Sequence, residues 1–278
     1  MTRSIVPLVL VALVVATSPA RAATPDTVWL DRLTWTEVRE LVRTGTTTVI
    51  VPTGGTEQNG PHLALGKHNV RVQVLAEAIA RALGHTLVSP VLAYVPEGGV
   101  APPTGHMRYP GTLTLPEPYF EAVLEFAARS LALHGFRDIV FLGDSGDNQA
   151  GQRAVARRLN RAWAAATARA HAIDAYYRAS TDGARRILRT RGYRDAEIGA
   201  HAGALDTSLM LAIDPSLVRR DRLQPAAGGT GWPGADGDPS RATAEVGQAV
   251  VQFIVAETVD AIRQSIAQRG APPARPQS

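Results

Sequence analysis

Not one cysteine occurs in the 278 residues of this chain. Disulfides, thiolate metal ligands and a cysteine nucleophile are therefore excluded, and the fold must rely on its core. Aromatic residues make up only 5%. The arginine-rich stretches 153–169 and 185–194 do not interleave aromatics as a nucleic-acid surface would, so they read as solvated helix faces despite a net charge of +4. Nucleic acid is not an expected partner. Beyond the N-terminus no segment offers about eighteen consecutive apolar residues, the length a membrane helix needs. The N-terminus itself has Arg3, an apolar run from Ile5 to Ala16, and Ser18-Pro19-Ala20-Arg21-Ala22 with an A-x-A cleavage pattern. That predicts a signal peptide over 1–22, a mature chain from near Ala23 without a membrane segment, and export to the periplasm or medium; an uncleaved anchor is the alternative.

What is present is a chain with 45% hydrophobic residues, long enough for one large core. We expect a single domain over 23–268 and a disordered Pro-rich tail over 269–278. Thr46 to Val51 reads as a buried strand, Val70 to Leu83 as a helix ended by Gly84, and Thr86 to Val91 as a second strand. Pro96 to Pro116 is too rich in Pro, Gly and Thr for regular structure. Glu117 to His134 predicts a helix and Asp138 to Leu142 a strand. Asn148 is the expected cap of a helix reaching about Ala170. His171 to Tyr177 reads as a strand, Thr181 to Arg191 and Leu205 to Ile213 as helices, and Arg241 to about Ala267 as the last helix. This alternation predicts an α/β fold with a mainly parallel central sheet flanked by helices on both faces.

In such folds ligands gather at the carboxyl ends of strands. Three polar loops fall there: Thr56 to Asn69, Gly143 to Asn148, and His201 to Ser208. They supply Glu57, His68, Asp144, Asp147, His201 and Asp206. Carboxylates mixed with imidazoles suit Zn or Mn, although the spacing alone is not a metal signature.

Four ordered blocks carry a resemblance. Gly54-Gly55-Thr56-Glu57-Gln58-Asn59-Gly60-Pro61-His62-Leu63-Ala64-Leu65-Gly66-Lys67-His68 is similar to a Gly-x-x-Glu-x-His-Gly-Pro-His-Leu-Pro-Leu-x-x-Asp pattern. Gly105-His106-Met107-Arg108-Tyr109-Pro110-Gly111-Thr112 resembles His-x-x-Phe-Pro-Gly-Thr, and His201-Ala202-Gly203 through Asp206-Thr207-Ser208 resembles His-Ala-Gly-x-x-Glu-Thr-Ser. Gly237-Asp238-Pro239, Ala242-Thr243 and Gly247 complete the match. From about Leu30 to Gly247 the chain resembles the creatininase (creatinine amidohydrolase) family.

The resemblance implies an α/β amidohydrolase, homo-oligomeric, with a metal centre that is often binuclear and hydrolyses C–N bonds of small cyclic or linear non-peptide amides. Glu57 keeps a ligand position. Asn59 stands where the family has a ligand histidine, His68 where it has a bridging aspartate, and Ser145 where it has another histidine. Asp147 stands at a glutamate ligand position, and Asp206 replaces a glutamate. We therefore expect one Zn or Mn on Glu57, His68 and Asp147, with His201 as general acid and Asp206 orienting it or capping the following helix. Asn59, His62, Asp144, Ser145, His106, Arg108 and Trp232 are candidates for contacts to substrate or to the ligands. Two other readings stay open. One is a non-catalytic small-molecule-binding relative, in which Lys67 would place its ammonium where a metal should sit. The other is a serine hydrolase using Ser145, with His201 as base.

Overall fold

The computed structural model describes residues 25–224, 231 and 233–268. The expected leader, the tail and Trp232 lie outside the described residues. The chain enters through α1 (Trp35–Arg43), whose N-cap Thr34 and Glu37 form a reciprocal capping box. It continues through β1 (Thr48–Thr53), α2 (Lys67–Leu83), β2 (Thr86–Val88), α3 (Glu117–Leu133), β3 (Asp138–Gly143) and α4 (Asn148–Ala162). Then come β4 (Arg169–Ala172), α5 (Asp174–Arg178), α6 (Ala184–Thr190), α7 (Asp195–Ile198), α8 (Ala204–Ile213) and α9 (Ala244–Gln268).

The four strands form one parallel sheet in the order β2-β1-β3-β4. β1 and β3 are apolar on both sides, and their alternate residues feed two cores. Ile50, Val140 and Leu142 pack with Val72, Leu75 and Ile79 of α2 and with Val250 and Ile254 of α9. Val49, Val51, Ile139 and Phe141 pack with Phe120 and Leu124 of α3 and with Val155 and Leu159 of α4. A parallel sheet covered on both faces demands such continuous apolar strands. Truncating one of these buried aliphatics to Ala would cost about 2–5 kcal/mol.

The chain leaves β1 toward β2 on one side and returns to place β3 on the other. The carboxyl ends of β1 and β3 therefore flank a topological switch point, the usual location of a ligand crevice. Glu57 follows β1 and Asp144 follows β3.

Several boundaries differ from the sequence reading. β1 runs through Pro52 to Thr53. The Pro52 carbonyl accepts from Leu92 beyond the end of β2, so the N–H that proline lacks would have faced a side where regular pairing has stopped. β2 ends at Val88 because Ser89-Pro90 follows. α4 stops at Ala162, since 169–172 must pair with β3 in register Asp138↔Arg169. The strand expected over 171–177 is β4 followed by α5, which turns Tyr176 inward. The helix expected over 181–191 is a π turn over Ala179–Gly183 and then α6. Asn148 does not cap α4: it is fully buried, and its amide donates to Thr53 and Gly54. Among the described residues no helix is long and apolar enough to cross a membrane.

Candidate active site

A pocket of about 570 Å³ opens at the switch point, and its floor carries Glu57, Lys67, His68, His106, His201 and Asp206. The loop after β1 closes on itself through Glu57 N–H to the Leu65 carbonyl at 3.1 Å, which carries Glu57 inward to 2% exposure. His201 arrives from the turn before α8, its backbone paired in both directions with Asp236 at 3.1 and 2.8 Å.

Glu57, His106 and His201 each present a ligand atom, and these atoms lie within 4.8 Å of one another. Glu57 Oε2 is 3.2 Å from His106 Nε2, and Glu57 Oε1 is 3.7 Å from His201 Nδ1. The hydrogen bonds of Gln58 set the tautomers. Gly60 N–H donates to Gln58 Oε1 at 3.0 Å, so the Gln58 amide nitrogen faces His106 Nδ1 at 3.0 Å and makes that atom an acceptor. His106 then carries its proton on Nε2, toward Glu57. His201 Nε2 donates to the Gln58 carbonyl at 2.8 Å. Burial, and next the Lys67 charge, depress the His201 pKa to about 4. At neutral pH His201 is therefore uncharged, and its Nδ1 lone pair looks at a carboxylate oxygen with no proton between them.

A carboxylate and two imidazoles form a donor set that suits Zn or Mn, and ligands about 2.0–2.2 Å from one ion stand at such separations. His201 is already the correct tautomer, held by a carbonyl on its far nitrogen as metal-bound histidines usually are. His106 fits once its proton moves to Nδ1 and the Gln58 amide turns its oxygen toward it.

The set expected from sequence, Glu57 with His68 and Asp147, is not the one the fold assembles. Both ring nitrogens of His68 are occupied: Nε2 faces Glu57 Oε1 at 2.8 Å and Nδ1 faces Asp144 Oδ2 at 2.6 Å. Burial alone would depress this imidazole, but the Glu57 charge, with hydrogen bonds to Asp144 and Glu57, raises its pKa overall. His68 thus bridges two buried carboxylates, which favour its protonated form, with Arg71 Nη2 also 3.1 Å from Nδ1. Burial would raise Glu57 too, yet the His68 charge and hydrogen bond hold it well below the ordinary carboxylate range. Asp147 stands exposed at the pocket rim, outside the ligand cluster.

The remaining candidates divide by location. Asp144 has no exposed surface and binds Arg71, His68 and the Tyr176 hydroxyl, the last at 2.5 Å. Asp206 does not cap α8, whose N-cap Gly203 has no side-chain hydrogen bond. It accepts instead from Lys67 Nζ and Arg71 Nη1, both at 2.7 Å, and from Ala202 N–H at 2.8 Å. Ala202 has a φ of 55°, a left-handed conformation costly for alanine. His62 holds the other side of that turn, its Nε2 donating to the Ala202 carbonyl at 2.9 Å. Asn59 is buried in the loop, donating to the Glu57 carbonyl at 2.8 Å. Arg108 is exposed in a short 3-10 turn and does not line the pocket. Neither ring nitrogen of His201 has Ser145 as a partner, so the base that a serine nucleophile requires is not in place.

Sequence reasoning missed Arg71, Tyr176, Gln58 and Glu97. Glu97 is 1% exposed beside Glu57, and burial followed by the hydrogen-bonding and charge of Glu57 raises its pKa to about 10. It is a neutral acid at physiological pH. One signal was available for Arg71. Lys67, His68 and Arg71 crowd the start of a helix with no acidic residue in its first turn, against the macrodipole, which calls for carboxylates nearby.

The profile of a family described as creatinine amidohydrolase matches residues 31–262. A creatinine amidohydrolase of Pseudomonas putida is 27% identical over 258 residues, 85% of this chain and 96% of that protein. A mycofactocin precursor peptide peptidase of Mycobacterium ulcerans is 28% identical over 239 residues, 77% of this chain and 84% of that protein. Among solved structures, a creatinine amidohydrolase (creatininase) superposes with a TM-score of 0.70 at 26% identity, covering 90% of this chain and all of that one. A manganese creatininase gives 0.69 at 26% identity over 86% and 98%, and a creatininase mutant of Zn-Zn type 0.68 at 27% over 87% and 99%.

Proposed function

The chain belongs to the creatininase family, and from that premise we propose that it is a metal-dependent hydrolase that cleaves a C–N amide bond using one Zn or Mn ion held by Glu57, His106 and His201. The observation that carries this reading is the pair of unprotonated atoms, His201 Nδ1 and Glu57 Oε1, facing each other at 3.7 Å with His106 Nε2 beside them. Two electron-rich atoms at that distance are stable together when a cation lies between them. Bound there, the ion would polarise an amide carbonyl and lower the pKa of a water molecule.

The protein's own groups supply the rest. The Gln58 carbonyl holds His201 in the tautomer that offers Nδ1. His68, donating to Glu57 Oε1, orients that carboxylate and leaves Oε2 toward His106. His201 thus moves from the general-acid role to that of a ligand. Asp147 takes the acid's place: it lines the pocket rim, and desolvation by the pocket wall, then the charge of Glu57, raise its pKa, so it retains a proton for a leaving nitrogen more readily than an ordinary aspartate. The pocket walls add Tyr109, Tyr177 and Arg185. The relatives of this chain include a creatinine amidohydrolase and a mycofactocin precursor peptide peptidase, so the substrate class extends from small cyclic amides to peptide amides. We further read the protein as exported, on its N-terminal segment alone.

A second reading, a binding protein that has lost catalysis, is favoured by the closure of His68 between two carboxylates. Metal analysis of purified protein under metal-replete conditions, followed by assay against creatinine, formamides and dipeptide amides, separates the two. The hydrolase reading requires about one ion per chain and a turnover abolished in Glu57→Gln and His201→Ala. Absence of stoichiometric metal would leave only the binding protein.

A further inference from the structure

Lys67 and Arg71 are 1% and 3% exposed, and both sit at the start of α2, where the helix dipole opposes positive charge. Buried cations survive only when paired and hydrogen-bonded. Lys67 Nζ lies 2.7 Å from Asp206 Oδ2, and Arg71 Nη1 lies 2.7 Å from Asp206 Oδ1. Arg71 Nε also reaches Asp144 at 2.8 and 3.1 Å. Two buried basic side chains therefore close on two carboxylates, and each carboxylate has a second task. Asp206 accepts from Ala202 N–H at 2.8 Å and so fixes the strained turn that presents His201. Asp144 accepts from His68 Nδ1 at 2.6 Å, and His68 in turn holds Glu57 at 2.8 Å.

We propose that Lys67 and Arg71 are resident cations: they do for this pocket what a second divalent ion would do, locking Asp206 and Asp144 and, through them, His201 and Glu57. The consequence is a pocket that binds one exchangeable ion and keeps its shape without it. The inference rests on the hydrolase reading only for where that single ion sits. Lys67 and Arg71 act through other residues, so they are positioning residues.

The test uses the full chain. Protein stripped with a chelator is titrated with Zn²⁺ or Mn²⁺, bound metal is counted by mass spectrometry, and the thermal melt is followed. The expected result is one ion per chain and a cooperative melt of the stripped protein, within about 10 °C of protein loaded at about 100 times the Kd, the shift that a single ligand produces by mass action. Two ions per chain, or loss of the cooperative melt on chelation, overturns the proposal. No bound ion with the melt retained supports the resident cations while sinking the hydrolase reading, so the two fail separately. These arms need no variant.

In Lys67→Met, affinity for the single ion should fall by about tenfold or more, in the range measured when groups behind a ligand are removed. Millimolar Mg²⁺ or Mn²⁺ should then raise the variant's melt more than that of the wild type, because a soluble cation substitutes for the missing ammonium. Unchanged affinity, or no such rescue in a folded variant, also overturns the proposal.

Discussion

His68 Nε2 stands 2.8 Å from Glu57 Oε1 while its other ring nitrogen stands 2.6 Å from Asp144 Oδ2, so one imidazole ring joins the ends of two parallel strands. Replacing it leaves two buried carboxylates facing an uncharged gap. His68→Ala should therefore lose about 3 kcal/mol of stability, the cost of breaking a buried ion pair from one side. Urea denaturation measures this, and a loss below about 1 kcal/mol would show that the pairing matters little.

Gln58 controls which nitrogen of His106 is free. A carboxylate in its place would accept from His106 Nδ1–H and leave Nε2 available as a ligand, as carboxylate–histidine–metal arrangements do. Gln58→Glu should tighten Zn²⁺ binding by about tenfold, read by competition with a chromogenic chelator. Weaker binding would mean that His106 is not a ligand.

Glu97 makes stability depend on pH in a specific direction. Its folded pKa of about 10 lies above the ordinary 4.5, so between those values the unfolded chain releases a proton that the folded protein retains. Stability from this group is greatest below pH 4.5 and falls as pH rises. In metal-free protein, Glu97→Gln should be more stable than wild type at pH 8 and nearly equal at pH 5. The gap should widen by up to about 1 kcal/mol per pH unit. Melting curves across that range decide it, and a gap that shrinks with pH contradicts the assignment.

Gly247 lets α9 approach α8: a Cβ there would run into the Ser208 carbonyl. Since α8 carries Asp206 in its first turn, the contact bears on the site as well as on stability. Gly247→Ala should cost about 2 kcal/mol through overpacking. A melt unchanged from wild type would show that the two helices part freely.

The sheet was legible because its strands are buried on both faces, which writes them as uninterrupted apolar runs: Thr48–Thr53 and Asp138–Gly143 fall close to where pattern alone puts them. α1 is legible as well, since Thr34 and Glu37 spell a capping box. The elements misread, 163–177 above all, are those where alanine-rich helix propensity yields to pairing with β3.

The amino-acid sequence by itself determined the α/β class, the order of the loops at the strand ends and, through four spaced blocks, membership of the creatininase family. Those features are local or follow from the order of residues along the chain. Which side chains meet is a different matter. Glu57 and His201 are 144 positions apart, and His106 comes from a loop without periodicity, so no spacing rule predicts that they share a corner. The tertiary structure also decided that His68 donates to Glu57 and Asp144 and that Lys67 is tied to Asp206. Burial is the reason: an imidazole or an ammonium takes its charge and its role from the carboxylates the fold packs against it.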